Sequence, residues 1–115
     1  MAIQEPFVDP NTGEAIKSLA AGGRIVDVLH ATATIDFGSI AANVAADSDV
    51  TITGARANDI CIVSPPAGPD AEITFTAFVE SANTVTVRAA NNSAGAVNPA
   101  SGTYRIMVYK FAEGV

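Results

Sequence analysis

The sequence predicts an all-β protein, an antiparallel β-sandwich or jelly-roll-like domain that follows an extended amino-terminal arm. Between residues 71 and 111, three runs rich in β-branched side chains are separated only by a short link and one loop of small residues. Leucine occurs only at positions 19 and 29, and helical proteins rarely use so little of it. Turn signals recur about every 8–12 residues, so we expect roughly seven short strands in two sheets.

The first segment, Met1–Gly23, differs from the rest of the chain. Prolines, glycines and isolated apolar residues follow one another there without a period of 2 or 3.6. We predict an arm with one short helical turn around residues 14–21. Since it cannot bury its own apolar side chains, it either folds back on its domain or packs on a neighbouring chain. The side chains predicted to bind are Ile3, Phe7, Val8, Ile16 and Leu19.

The predicted β-domain covers residues 24–115. Its first stretch, RIVDVLHATATIDF, predicts one long or two short strands, and SIAANVAADSD predicts a loop or a single short helix. DVTITG alternates and predicts a half-buried strand that ends at Gly54. DICIVS is apolar on both faces, which is typical of a central or doubly covered strand. PPAGPD then forces a turn, because prolines cannot donate to a sheet ladder.

The last three strands are the clearest. AEITFTAFVE and NTVTVRAA each alternate and are joined by a hairpin link at residues 81–83. GTYRIMVYKF carries apolar side chains on both faces, although a two-layer sandwich needs only one inward face. We therefore predict a subunit interface, with coverage by the arm or by the Ala-rich loop of the same chain as the alternative. The predicted interface residues are Phe78, Met107, Tyr109 and Phe111.

Composition argues against several function classes. The 115 residues suffice for one domain, and the formal net charge is −6 with basic residues scattered singly, which disfavours a nucleic-acid partner. No apolar run approaches the ~20 residues of a membrane span, and the first residues lack a signal-peptide pattern. We therefore expect a soluble protein, with no membrane partner, that is made and used without secretion.

Candidate reactive residues are few. Cys61 is the sole cysteine, so an intrachain disulfide is excluded, and it is interpreted as a small buried hydrophobe. His30 is the sole histidine and has no Ser, Cys or Asp at a triad spacing. Asp47 and Asp49, with Asp59 and Asp70 further on, could offer oxygens to Ca²⁺ but lack the spacing and the terminal Glu of an EF-hand loop. The glycosylation pattern Asn91-Asn92-Ser93 is interpreted as incidental. We therefore predict no catalytic residue, no cofactor and no metal site.

Three segments carry a family resemblance: TATIDFGSIAAN, DVTITGARANDICIVSPPA, and FTAFVESANTVTVRAANNSAGAVNPASGTYRIMVY. In their order and spacing they resemble a small β-domain of tailed-bacteriophage structural proteins. That domain occurs as free-standing capsid decoration (cement) proteins and as a module of tail or collar proteins. Asn58 and Asn83 fit as turn residues, and Gly102 would permit a positive φ before the last strand.

The resemblance implies a homotrimer seated on threefold and quasi-threefold axes of the capsid exterior, with the arm contacting the major capsid protein. Such a protein is synthesised in the host cytoplasm and ends in the virion. The leading hypothesis is thus a non-enzymatic virion protein that reinforces the shell. The alternative is a receptor- or carbohydrate-binding module of a tail or fibre. A small hydrolase or lyase is disfavoured, because no acid/base pair can be named.

Overall fold

The computed structural model describes residues 24–112, which form six β-strands and no helix. The predicted arm, including Ile3, Phe7, Val8, Ile16 and Leu19, lies outside the described residues. Within residues 24–112 there is no helix with the length and apolar character needed to cross a membrane. The strands are β1 (Ile25–Ile35), β2 (Ala45–Thr51), β3 (Ile60–Ser64), β4 (Ile73–Ser81), β5 (Thr84–Asn91) and β6 (Gly102–Phe111).

The strands form two antiparallel three-stranded sheets, ordered β1–β6–β3 and β2–β5–β4. The first strand pairs with the last and the second with the second-to-last, as in one long hairpin folded over on itself. This nested order is jelly-roll-like. The predicted all-β sandwich is therefore confirmed, with β6 and β5 as the central strands of the two sheets.

The core lies between the inward faces of the two sheets. From β6 it takes Tyr104, Ile106 and Val108, which are at most 1% exposed, and from β5 it takes the fully buried Val85 and Val87. The predicted inward alternation of both strands is confirmed. Towards one end, the rings of Phe37, Phe75 and Tyr104 pack with centroids 5.5–6.2 Å apart. Burial raises the pKa of the Tyr104 phenol above its ordinary value.

Asn91 fixes the loops at that same end. Its side chain is 2% exposed, and its Nδ2 donates to the carbonyls of Ile40, Ala41 and Gly95 at 2.9, 3.2 and 2.9 Å. Its Oδ1 accepts from the backbone N–H and the hydroxyl of Ser93. The amide thus satisfies backbone carbonyls that would otherwise lose their partners inside the protein. The asparagine and the serine of the glycosylation pattern therefore both take part in this hydrogen-bond network.

Asparagine turns close the opposite end. Asn58 and Asn83 both have positive φ, 75° and 66°, as their predicted turn roles require. The Asn83 Oδ1 accepts from the N–H of Gly54 at 2.8 Å, and the Asn83 N–H donates to the carbonyl of Ala55 at 2.8 Å. The β4–β5 hairpin is thereby tied to the chain that leaves β2.

Three predictions were wrong in detail. The SIAANVAADSD stretch forms a loop, one of its two predicted forms, only as far as Val44, because β2 already begins at Ala45. Residues 24–112 form six strands, whereas about seven were predicted. β3 is an edge strand, not a central one. Gly102 does not have the predicted positive φ. Glycine is required at this position for lack of space instead, because a Cβ there would lie 2.6 Å from Cγ of Pro66.

The packing around β6 predicts a large difference between neighbouring substitutions. Ile106→Ala should lower the free energy of unfolding by about 2–5 kcal/mol, because it removes a fully buried side chain and leaves a cavity. Thr103→Ala, on the exposed face of the same strand, should change it by less than about 0.5 kcal/mol. Urea titration followed by circular dichroism measures both. Equal losses would show that the interior is not built around β6.

Candidate assembly surface

One half of the outer face of the β1–β6–β3 sheet is apolar although it faces solvent. Strand β3 contributes two isoleucines, β1 two valines, and β6 three large side chains. The exposed fractions are 54% and 53% for the isoleucines and 52% and 43% for the valines. We call this set the apolar surface; it consists of Val26, Val28, Ile60, Ile62, Met107, Tyr109 and Phe111.

Strand register brings these side chains together. Tyr109 lies between Val28 and Ile60, and Met107 lies between His30 and Ile62. Directly opposite residues in antiparallel strands have Cβ atoms about 4.5–5.5 Å apart, so the apolar side chains form one continuous patch. The largest patch on an ordinary monomer is about 300–600 Å² and is often functional. A continuous apolar patch of this kind makes the outer face of this sheet the candidate binding surface.

A polar row bounds the apolar surface at one end. Arg105 of β6 lies between Thr32 of β1 and Ser64 of β3. Its guanidinium Nη1 lies 2.8 Å from Nε2 of His30, so the imidazole accepts a hydrogen bond at that nitrogen. An apolar centre with a polar rim is the usual anatomy of a protein–protein interface.

The predicted interface residues are only partly brought together. Met107, Tyr109 and Phe111 share the apolar surface, whereas Phe78 lies on the outer face of the other sheet, beside Thr86 of β5. There the Arg88 guanidinium stacks over the Phe78 ring, 4.9 Å from its centroid. Phe78 is thus half-buried within its own sheet and belongs to a different surface.

Sequence reasoning missed the contributions of β1 and β3. Ile60 and Ile62 were assigned to a covered strand, and the outward valines of β1 were not singled out. A signal was present, because RIVDVL and DICIV both place apolar residues on each face. An apolar pattern alone does not distinguish a strand covered on both faces from one whose second face is open to solvent.

The β2–β5–β4 sheet has a polar outer face. Asp47 and Arg88 form an ion pair with 2.8 Å between Oδ1 and Nε, and Asp49 accepts from the Thr86 hydroxyl at 2.7 Å. The hydrogen bond to Arg88 lowers the pKa of Asp47 below its ordinary value. These carboxylates are satisfied by their own sheet. Among residues 24–112, no three His, Cys, Asp or Glu side chains converge as a metal site would require.

The two most reactive side chains of the described residues are far from forming a catalytic pair. His30 points outward from β1, while Cys61 points inward from β3, with β6 between the two strands. Cys61 packs against the main core, but it is only partly buried, whereas the sequence predicted a buried side chain. Burial, and then the negative charge of Asp59, raise the pKa of its thiol. A thiol held neutral in this way is a poor nucleophile.

A small cavity of about 180 Å³ lies at the loop end of the sandwich. The proline-rich loop of residues 65–70 and residues 98–100 form its walls, and Phe75 and Tyr104 lie beneath. Sugar sites present aromatic ring faces to solvent, but Tyr104 is 1% exposed and packs edge-on against two phenylalanines. Tyr104 therefore offers no exposed ring face to a sugar, whereas Phe75, which also lines the cavity, is partly buried.

Comparisons of the chain with protein-family models, with curated proteins and with solved structures found no match.

The environment of Cys61 predicts slow alkylation that depends on folding. Its folded-state pKa is raised, so the partly buried neutral thiol contributes stability at pH values below the pKa of the unfolded thiol, about 8.5. That contribution is lost as the pH rises through the folded-state value. At pH 8, iodoacetamide should modify the native protein several-fold more slowly than the urea-denatured protein, as followed by mass spectrometry. Equal rates over pH 7–10 would contradict this environment.

Proposed function

We propose that this chain is a non-enzymatic virion structural protein, a head decoration protein that binds the exterior of a tailed-bacteriophage capsid as a homotrimer. Its partners would be further copies of itself and the major capsid protein. The observation that carries the proposal is the apolar surface, a solvent-facing patch on a sheet that needs only one inward face. The order of the segments that resemble phage structural domains supports the same function.

The location of the polar and apolar residues supports a role in assembly. The predicted catalytic set is empty, and in the described residues the nearest candidates, His30 and Cys61, lie on opposite faces of one sheet. None of the seven side chains of the apolar surface is charged, and the nearest acidic residue of β1 is the exposed Asp27, between Val26 and Val28. In a closed trimer the contact is heterologous, so one part of the apolar surface would meet a different part of the same surface on the neighbouring copy.

Energetics favour several weak contacts acting together. Removing the remaining exposed half of a Val or Ile side chain from water stabilises by about 1 kcal/mol, so the seven residues supply roughly 5–7 kcal/mol per copy in gross terms. Association costs about 4–15 kcal/mol in lost freedom. A single pair of copies would bind weakly. A closed trimer with three arms on the shell would bind more tightly, because the linked contacts raise the effective concentration of one another.

Introducing a positive charge into the apolar surface tests self-association. Ile62→Lys should convert the trimer to monomers at equal protein concentration, because a desolvated lysine in the contact is unpaired. Ile62 is 53% exposed, so the far-ultraviolet circular dichroism spectrum should be unchanged. Thr51→Lys is the matched control, an exposed position on an edge strand of the other sheet. Sedimentation equilibrium measures all three proteins, and trimers of the Ile62→Lys variant would exclude this surface.

Shell binding is tested by deleting residues 1–23. The truncated protein should remain folded, because the core is formed within residues 24–112, and it should lose co-sedimentation with empty capsids by at least tenfold. Thermal melting of the capsids should rise with the full chain and not with the truncated one. Full binding by the truncated protein would exclude the arm. Binding on a glycan array without capsid binding would instead favour the tail-module alternative.

A further inference from the structure

A second feature is a basic groove at the end of the domain where the described chain begins, next to the apolar surface, with which it shares Val26 and Phe111. It has a volume of about 640 Å³. Three of the six basic residues of the chain line it, Arg24, Arg56 and Lys110, above an apolar floor of Val26 and Phe111. In a chain with a net charge of −6, three basic residues at one site favour an anionic partner.

The groove has unused cationic capacity. Lys110 Nζ lies 2.7 Å from Oδ2 of Asp59, and the same oxygen accepts from the backbone N–H of Arg56 at 2.9 Å. Oδ2 of Asp59 thereby links Lys110 to the backbone of Arg56 in the groove wall. Within residues 24–112, neither the Arg24 nor the Arg56 guanidinium has a carboxylate within 4.0 Å. Two guanidinium groups beside apolar side chains suit a peptide with two carboxylates and an apolar centre.

We propose that this groove binds residues Glu5–Asp9 of the same chain, the sequence Glu-Pro-Phe-Val-Asp. Its two carboxylates flank Phe7 and Val8, which matches two guanidinium groups around an apolar floor. Fourteen residues, 10–23, separate Asp9 from Arg24, and a chain of that length reaches at most about 50 Å. The whole groove is within that reach, because Arg24 itself lines it.

Binding within one chain has a chemical and an entropic basis. Phe7 and Val8 would leave water against Val26 and Phe111, while Arg–carboxylate hydrogen bonds fix the ends of the segment. Closing a loop of this size costs little more than closing a shorter one. The tether also gives an effective concentration in the millimolar range. In a decoration protein, the docked segment would shield arm apolar groups until a shell displaces it.

The absence of tryptophan from the chain allows a direct test. In full-length Phe7→Trp, the single indole should emit at a shorter wavelength and be quenched by acrylamide several-fold less than in the urea-unfolded protein. Adding Arg56→Gln should raise the quenching constant at least twofold, as should Glu5→Gln with Asp9→Asn. Raising salt from 0.1 to 1 M should act in the same direction, because the Debye length falls from about 10 to 3 Å.

Matched controls separate this inference from the others. Arg88→Gln removes the same charge from the opposite sheet and should leave quenching unchanged. Quenching equal to that of the unfolded protein overturns the proposal, and so does protection that Arg56→Gln does not alter. Protection lost on dilution would assign the groove to the segment of a second copy and overturns docking within one chain. No capsid is present in these measurements, so their outcome is independent of the proposed shell binding.

Discussion

Strand β6 is hydrogen-bonded on both edges, to β1 and to β3, and carries apolar side chains on both faces. Its even-numbered residues from Tyr104 to Val108 are the centre of the core. Its odd-numbered residues from Met107 to Phe111 form the middle of the apolar surface. A one-residue slip of its register would exchange the two faces. The register of β6 therefore sets both the interior packing and the position of the apolar surface.

The sequence was most informative where alternation was strict. The inward set of β4, from Ile73 to Val79, and the two faces of β6 follow from the period of two alone. It was least informative where position in the sheet decides exposure. Nothing local shows that Ile60 and Ile62 lie on an edge strand with one open face, because strand order arises from long-range pairing. The same holds for Gly102, whose small size is required by Pro66 from a distant loop.

The candidate site divides in the same way. Met107, Tyr109 and Phe111 could be predicted, since a doubly apolar strand is visible in the sequence. Phe78 could not be separated from them, because its assignment depends on which sheet β4 joins. The basic groove was invisible for a related reason. Its arginines are 32 positions apart in the chain, at positions 24 and 56. They line the same groove only because the start of β1 and the turn before β3 lie at the same end of the sandwich.

The two ends of the described domain adjoin, since the N–H of Ala112 donates to the carbonyl of Arg24 at 3.0 Å. Domains whose ends meet tolerate insertion and circular permutation well. Such a domain can be inserted into a surface loop of a host protein, because the two connections to the host lie side by side and leave the strand pairing unchanged. The loops of residues 65–70 and 93–101 lie at the opposite pole, so they would present foreign peptides away from the point of attachment.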